Sequence, residues 1–322
     1  MQAFFTDKLG RQRNASPATI AGYRDTFRLL LIFAQKQTGI QPSILSINDL
    51  DMPIITAFLT DLEVTRNNSV RTRNTRLAAI RSLFKFAAIR HPEHGATIQR
   101  VLSIEQRRVD KPTVAFLTTK EIKALTAAPN RNTWEGRRDH ALIHVAIQTG
   151  LRVSELTGLN CKDISLDIGA NIRCTGKGRK TRCVPLTKIS VSTMRVWLKE
   201  RNGTPEEPLF PTRTGRRLSR DAVAQRLNHH AITAAEICPS IKAKKLSPHV
   251  LRHTSAMQLL EAGVDITVIA LWLGHEDIRS TQTYLHADLG IKERALSKTA
   301  PTPTAAGRYR PPDKLLAFLQ DL

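Results

Sequence analysis

From Ser247 to His286 the chain reads SPHVLRHTSAMQLLEAGVDITVIALWLGHEDIRSTQTYLH, and side chains able to do chemistry recur in it at set intervals. His249 and Arg252 stand three positions apart, His275 follows a Leu-Gly step, and Tyr284 lies nine positions beyond that histidine. A phenol, a guanidinium and two imidazoles so spaced suit chemistry on a phosphodiester. The phenol can form a covalent intermediate, the cation can meet charge on phosphoryl oxygens, and an imidazole can move or orient a proton. Upstream, Arg152 in TGLRVSEL and Lys177 in TGKGRKTR add two more cations. Each taken alone has a plainer reading. Arg152 could be a helix-start arginine paired with Glu155, Lys177 a solvated turn, His275 a helix-capping residue and Tyr284 a core aromatic.

The elements expected around these residues favour a site. Ser247 suits an N-cap and Pro248 the first helical position, which puts His249 and Arg252 in the first turns of a helix. Residues at i and i+3 share a face, and a helix N-terminus attracts anions. Arg152 follows a Gly-Leu step after a helix ending at Thr149, so two arginines from separate elements could clamp two phosphoryl oxygens. ANIRCTGKGRKTRCVPLT reads as a hairpin, with Ile172, Cys174, Cys183 and Val184 flanking a Gly-rich turn and Lys177 at its tip, where Lys180 competes for the same role. Helices are expected near 137–148, 152–159, 219–236, 248–262, 265–273 and 277–286. His249 and His253 form HxxxH, but Val250 stands where a zinc protease carries glutamate, and no third ligand follows. His140 and His144 repeat that spacing inside an apolar helix and read as packing or surface residues. No metal is expected.

The ordered set resembles the tyrosine recombinase (phage integrase) family, whose pattern is Arg, Lys, His-x-x-Arg, His or Trp, and Tyr. All six positions are filled, and the resemblance is strongest from about Thr118 to His286. It implies a mainly α fold with a small β-sheet (α+β), in which a helical core-binding domain precedes the catalytic domain. It also implies that Tyr284 attacks the scissile phosphate to give a 3′-phosphotyrosyl bond. Arg152 and Arg252 would stabilise the phosphoryl charge, Lys177 would protonate the leaving 5′ oxygen, His249 would assist proton transfer, and His275 would complete the pocket. The family works on double-stranded DNA as a tetrameric synapse, with no cofactor, metal, ATP or small-molecule substrate. The motif chemistry alone would equally suit a type IB topoisomerase, and a non-catalytic DNA-binding regulator on the same scaffold is a further alternative. The helical N-terminal segment and the length are similar to the recombinases.

Bulk properties agree with a polyanionic partner. In 322 residues, 49 Lys and Arg face 28 Asp and Glu, a net charge of +21, and the sequence pI is near 10.5. Such a field draws in nucleic acid. No apolar run approaches a membrane span, the N-terminus does not read as a secretory signal, and the four cysteines form no CxxC pair, which fits a reducing, cytoplasmic setting. Residues 1–105 read as helical. Ile20, Tyr23, Phe27, Leu30, Leu31 and Ala34 mark one buried face, and Leu77, Ile80, Leu83, Phe84 and Ala87 another. Arg73, Arg76, Arg81 and Lys85 are expected to show on the second helix and, with Arg179 and Lys180, to contact phosphates. Residues 106–113 suit a linker, within the polar, basic stretch EQRRVDKPT from Glu105 to Thr113, and Thr118 with Glu121 forms a capping box near the start of a catalytic domain at 114–296. A Pro-rich extended tail at 297–322 ends in Leu315, Leu316, Phe318 and Leu319, expected to dock on a neighbouring protomer or on its own domain. This extension leans the reading towards a mobile-element enzyme.

Overall fold

The computed structural model describes residues 1–109, 114–176 and 180–275, together with Thr281 and Tyr284. The chain forms two compact units, Met1–Pro112 and Thr113–Leu322.

The first unit is helical. A π-helical segment, Phe4–Gln12, precedes α1 (Pro17–Thr38), α2 (Met52–Val64), α3 (Val70–Arg90) and α4 (Gly95–Ser103). Caps fix the boundaries. Ser16, Asp51 and Ser69 each accept a backbone N–H from the first turn of their helix, and Gly39 closes α1 at φ +74°. The expected apolar faces meet in the core, where Phe27, Leu30 and Ala34 of α1 join Leu77, Ile80 and Phe84 of α3.

One expectation fails on α3. Arg73 is not displayed but buried, at 6% exposure. Its position explains this: 73, 77, 80 and 84 recur at helical intervals, so Arg73 belongs to the same inward stripe as the core residues. Its guanidinium donates to the Glu105 carbonyl at 3.3 Å and lies 3.7 Å from the Glu63 carboxylate. Arg76 is half-buried, and Arg81 donates to the Leu102 carbonyl at 2.8 Å, which ties α3 to α4. Of the four, Lys85 alone is exposed.

The second unit is mainly α with a small antiparallel sheet. Its described elements are α5 (Thr119–Ala127), α6 (Trp134–Thr149), α7 (Val153–Gly158), β1 (Ile164–Ser165), β2 (Asn171–Thr175), β3 (Thr181–Pro185), α8 (Lys188–Arg201), α9 (Arg220–Ile237), α10 (Pro248–Glu261) and α11 (Ile266–Leu273). The sheet order is β1-β2-β3. The β2–β3 hairpin pairs Cys174 with Arg182 and Ile172 with Val184, in the expected place. Strand β1 and helix α8 are additions to the sequence reading. Thr187 caps α8, whose Met194 and Trp197 are buried.

The C-terminal half of helix α6 is buried on most sides, with Leu142, Ile143, Val145, Ala146 and Ile147 in the main core, as a central helix must be. It carries one buried polar network. Arg138 is fully buried and donates twice to Asp139, and Asp139 also meets Arg226 and His230 of α9 at 2.9 Å each. A smaller core joins Ala256, Met257, Leu260, Ile269 and Leu273 to Tyr284. Among the described residues no helix is long and apolar enough to cross a membrane. The expected helix at 277–286 and the tail at 297–322 lie outside the described residues, apart from Thr281 and Tyr284, which are helical.

Candidate active site

The end of α6 sets the site's floor. Gly150 turns the chain at φ +63°, and a Cβ there would fall 2.5 Å from Leu273 Cδ2 and 2.9 Å from Ser255 Oγ. Only glycine permits so close an approach of α6 to α10 and α11. The Trp272 indole N–H donates to the Thr149 carbonyl at 3.1 Å and locks that junction.

Arg252 lies across it. Ser247 caps α10 and Pro248 starts it, as expected, which places Arg252 within the second turn. Its guanidinium donates to the carbonyls of Gly150 at 2.7 Å and Leu273 at 2.8 Å. Burial, then the repulsion of Arg152, lowers its pKa to about 10, so it remains charged at neutral pH.

Arg152 arrives from the other side of the turn. It donates to the Gly274 carbonyl at 2.8 Å, the residue after the one held by Arg252. Its pairing with Glu155 is also real: the side chain donates to Glu155 Oε1 at 2.9 Å and the backbone N–H to Oε2 at 2.8 Å. The pairing with Glu155 leaves one terminal nitrogen of Arg152 on the Gly274 carbonyl. The Glu155 carboxylate is almost fully buried, and it also accepts both terminal nitrogens of Arg182, at 3.0 and 2.8 Å. Burial works against its charge, yet Arg182 and Arg152 hold its carboxyl below the usual range.

The third member is the tyrosine. Tyr284 is 2% exposed, and its hydroxyl lies 3.0 Å from His253 Nδ1, with the rings edge to face at 5.5 Å. His275 stacks on the same phenol at 6.4 Å and hydrogen-bonds Thr281 Oγ1 at 2.6 Å. Burial raises the Tyr284 pKa, against the pull of Arg252 and Arg152. Burial, reinforced by neighbouring cations, lowers His253 and His275 to about 4, so both are neutral at pH 7. His249 is exposed one turn before His253, the two rings 6.3 Å apart.

Lys177 and Arg179 lie outside the described residues, and Lys180 is exposed beside them. Gly176, the residue before Lys177, is held against the cluster: a Cβ on it would meet Glu155 Oε1 at 2.9 Å and Arg152 at 3.7 Å. His140 and His144 bond Thr126 O and Ser190 Oγ and take no part. Among the described residues no group of three or more His, Cys, Asp or Glu could hold a metal ion. In the first unit, Arg81 and Lys85 line a groove of ≈ 870 Å³ with Lys8, Arg13, Tyr23 and Arg90.

His253 and Arg182 were not assigned roles from the sequence. A signal existed for Arg182: it sits two positions before Val184, on the inward side of β3, where a cation needs a partner. None existed for the pairing of His253 with Tyr284, which are 31 residues apart.

The phage integrase family model matches residues 115–289, and the model of that family's N-terminal SAM-like domain matches residues 3–91. The chain belongs to the phage integrase family. It is 51% identical over 322 residues to a Sinorhizobium fredii protein named "Putative integrase/recombinase y4rC", covering 100% of this chain and 97% of that one. It is 33% identical to the tyrosine recombinase XerC of Pelobacter propionicus, over 91% of this chain and 92% of the relative. Its fold is similar to that of the Tn1549 transposon integrase in complex with transposon right end DNA, at TM-score 0.71 and 16% identity over 92% of this chain and 98% of that one. It is likewise similar to XerH recombinase bound to a palindromic difH substrate, at TM-score 0.69 and 22% identity over 89% and 81%. As a tyrosine recombinase, the chain is an enzyme of DNA strand cleavage and rejoining.

Proposed function

We propose that Tyr284 is the nucleophile of a site-specific recombinase that works through a 3′-phosphotyrosyl intermediate. Its phenol oxygen bonds to the scissile phosphorus as the bond to the 5′ oxygen breaks. Arg152 and Arg252 stabilise the charge that builds on the non-bridging oxygens, and Lys177 gives the leaving 5′ oxygen its proton. His249, exposed at the start of α10, assists proton transfer, and His275 supports the phenol by stacking.

One observation carries this reading: two arginines from different helices are anchored to successive carbonyls, Leu273 and Gly274, immediately before His275. Side-chain rotation is thereby restricted before any substrate arrives, and such preorganisation lets fixed cations favour a transition state. The phosphotyrosyl link conserves the energy of the phosphodiester, so the chemistry needs no ATP.

The substrate proposed is double-stranded DNA, bound by two chains on each of two duplexes, in a mobile-element setting. Support comes from the net charge of +21 and from the fold's similarity to a transposon integrase in complex with DNA. Arg81 and Lys85 in the cationic groove, with Arg179 and Lys180, are the proposed phosphate contacts. A nicked suicide duplex tests the proposal, because loss of the short fragment that carries the freed 5′ hydroxyl traps any covalent complex. A protein–DNA adduct resistant to denaturant is expected; retention without an adduct would leave a DNA binder.

A further inference from the structure

We propose that Arg182 is a positioning residue for the phosphate clamp, acting through Glu155 on Arg152 and tying the hairpin before Lys177 to the turn that bears His275. The proposal rests on the reading of Arg152 given above.

The hydrogen bonds form a closed circuit. Arg182 donates through its terminal nitrogens to both Glu155 oxygens, and through Nε to the Trp272 carbonyl at 3.0 Å. Glu155 in turn accepts the Arg152 side chain and backbone, and Arg152 donates onward to the Gly274 carbonyl, two residues beyond Trp272. The circuit spans β3, α7 and the end of α11. Gly274 sits at φ +66°, and a Cβ there would fall 2.7 Å from Arg182, so the turn is moulded on this guanidinium.

The charge bookkeeping is informative. Glu155 has two oxygens and two arginines, so Arg182 shares the carboxylate that would otherwise neutralise Arg152 alone. The cluster keeps a net positive charge at the phosphate side, with Arg182 itself only 15% exposed. A lysine in its place would keep the charge but lose the fork, and could not grip Glu155 and Trp272 together. Arg182 also lies 3.4 Å from the Cβ position of Gly176, so the same side chain sets where the strand leaves for Lys177.

Single-turnover cleavage of the nicked duplex by Arg182→Lys tests this. Misplacement of the clamp by a fraction of an ångström to an ångström predicts a loss of about 10- to 100-fold, with DNA affinity within about threefold of wild type. The discriminating substrate is a methylphosphonate at the scissile position, which carries no charge for Arg152 to stabilise. On it the deficit of Arg182→Lys should shrink to about threefold or less, whereas a merely structural defect would slow both substrates equally. Arg182→Lys combined with Arg152→Ala should be no slower than Arg152→Ala alone. Should Arg182→Lys fail to fold, Glu155→Gln breaks the same link from its other end and must show the same dependence on substrate. Equal deficits on both substrates, additive losses, or an unimpaired Arg182→Lys each overturn the proposal. A wild-type chain that forms no adduct would instead overturn the proposed function.

Discussion

Arg73 in the first unit and Arg252 in the second are buried to nearly the same degree, 6% and 4% exposed, each on the inward face of a helix. Their surroundings differ in kind. Arg73 has the Glu63 carboxylate at 3.7 Å, and the fully buried Arg138 has Asp139 at 2.8 Å. Among the described residues Arg252 meets the carbonyls of Gly150 and Leu273, and no carboxylate lies within ion-pair distance of it. Withdrawing an unpaired charge from water costs several kcal/mol, and carbonyl dipoles offset only part of that. Burial therefore does not separate Arg73 from the arginine proposed to meet the phosphate. Among the described residues the lack of a carboxylate beside Arg252 does, and it agrees with the role proposed for that arginine in meeting an anion.

The largest expected effect sets the zero of the scale. Tyr284→Phe should abolish the covalent adduct on the nicked duplex while leaving DNA affinity within about twofold; an adduct formed by this variant would remove Tyr284 from the mechanism. The two arginines should then part company. Arg252→Lys should slow cleavage by on the order of 10²- to 10³-fold, since a compact ammonium lacks the planar fork that spans two carbonyls while facing an oxyanion. Arg73→Met, placed in a site that already has an apolar stripe, should change the cleavage rate less than about threefold, because Glu63 keeps Arg107 at 2.9 Å as its counter-charge and is not left alone in the fold. Comparable losses for the two variants in single-turnover assays would erase the distinction between them.

A smaller effect comes from pH. His253 and His275 hold pKa values near 4 in the fold, below the ordinary histidine value of about 6.5. As pH falls below that ordinary value, the unfolded chain takes up these protons first. The second unit is then fully supported above about pH 6.5 and loses stability down to about 4. Thermal melts between pH 7 and 5 should show this fall, and a His253→Gln, His275→Gln double variant should flatten it. The smallest effect belongs to the surface. Lys85→Ala should leave cleavage at low salt unchanged and reduce the slope of log K against log salt by about 0.9, the value of one phosphate contact. An unchanged slope would take Lys85 out of the DNA interface.

Much of the fold was legible because its signals are local. The Ser247-Pro248 start of α10, the Thr118–Glu121 box of α5, the hairpin and the apolar faces of α1 and α3 each rest on residues a few positions apart. Arg152, Arg252, His275 and Tyr284 were legible by order and spacing, and the structure brings them together around the Leu273–His275 turn. What escaped depends on distant partners. Arg182 finds Glu155 across 27 residues, His253 finds Tyr284 across 31, and neither separation has a period. Arg73 differs for another reason: its charge favours the outside, whereas its helical phase puts it inside.

The placement of Tyr284 has a consequence for the free chain. An ordinary phenol with pKa about 10 is ionised in roughly one molecule in a thousand at pH 7, and burial makes Tyr284 rarer still in that form. Its hydroxyl is already engaged by His253, and only 2% of the residue meets solvent. In the free chain Tyr284 is therefore chemically quiet: phenol-directed reagents meet neither an anion nor an open surface there. On the proposed mechanism, reactivity at this position belongs to the complex with DNA, and a small molecule meant to block it has little to grip until that complex forms.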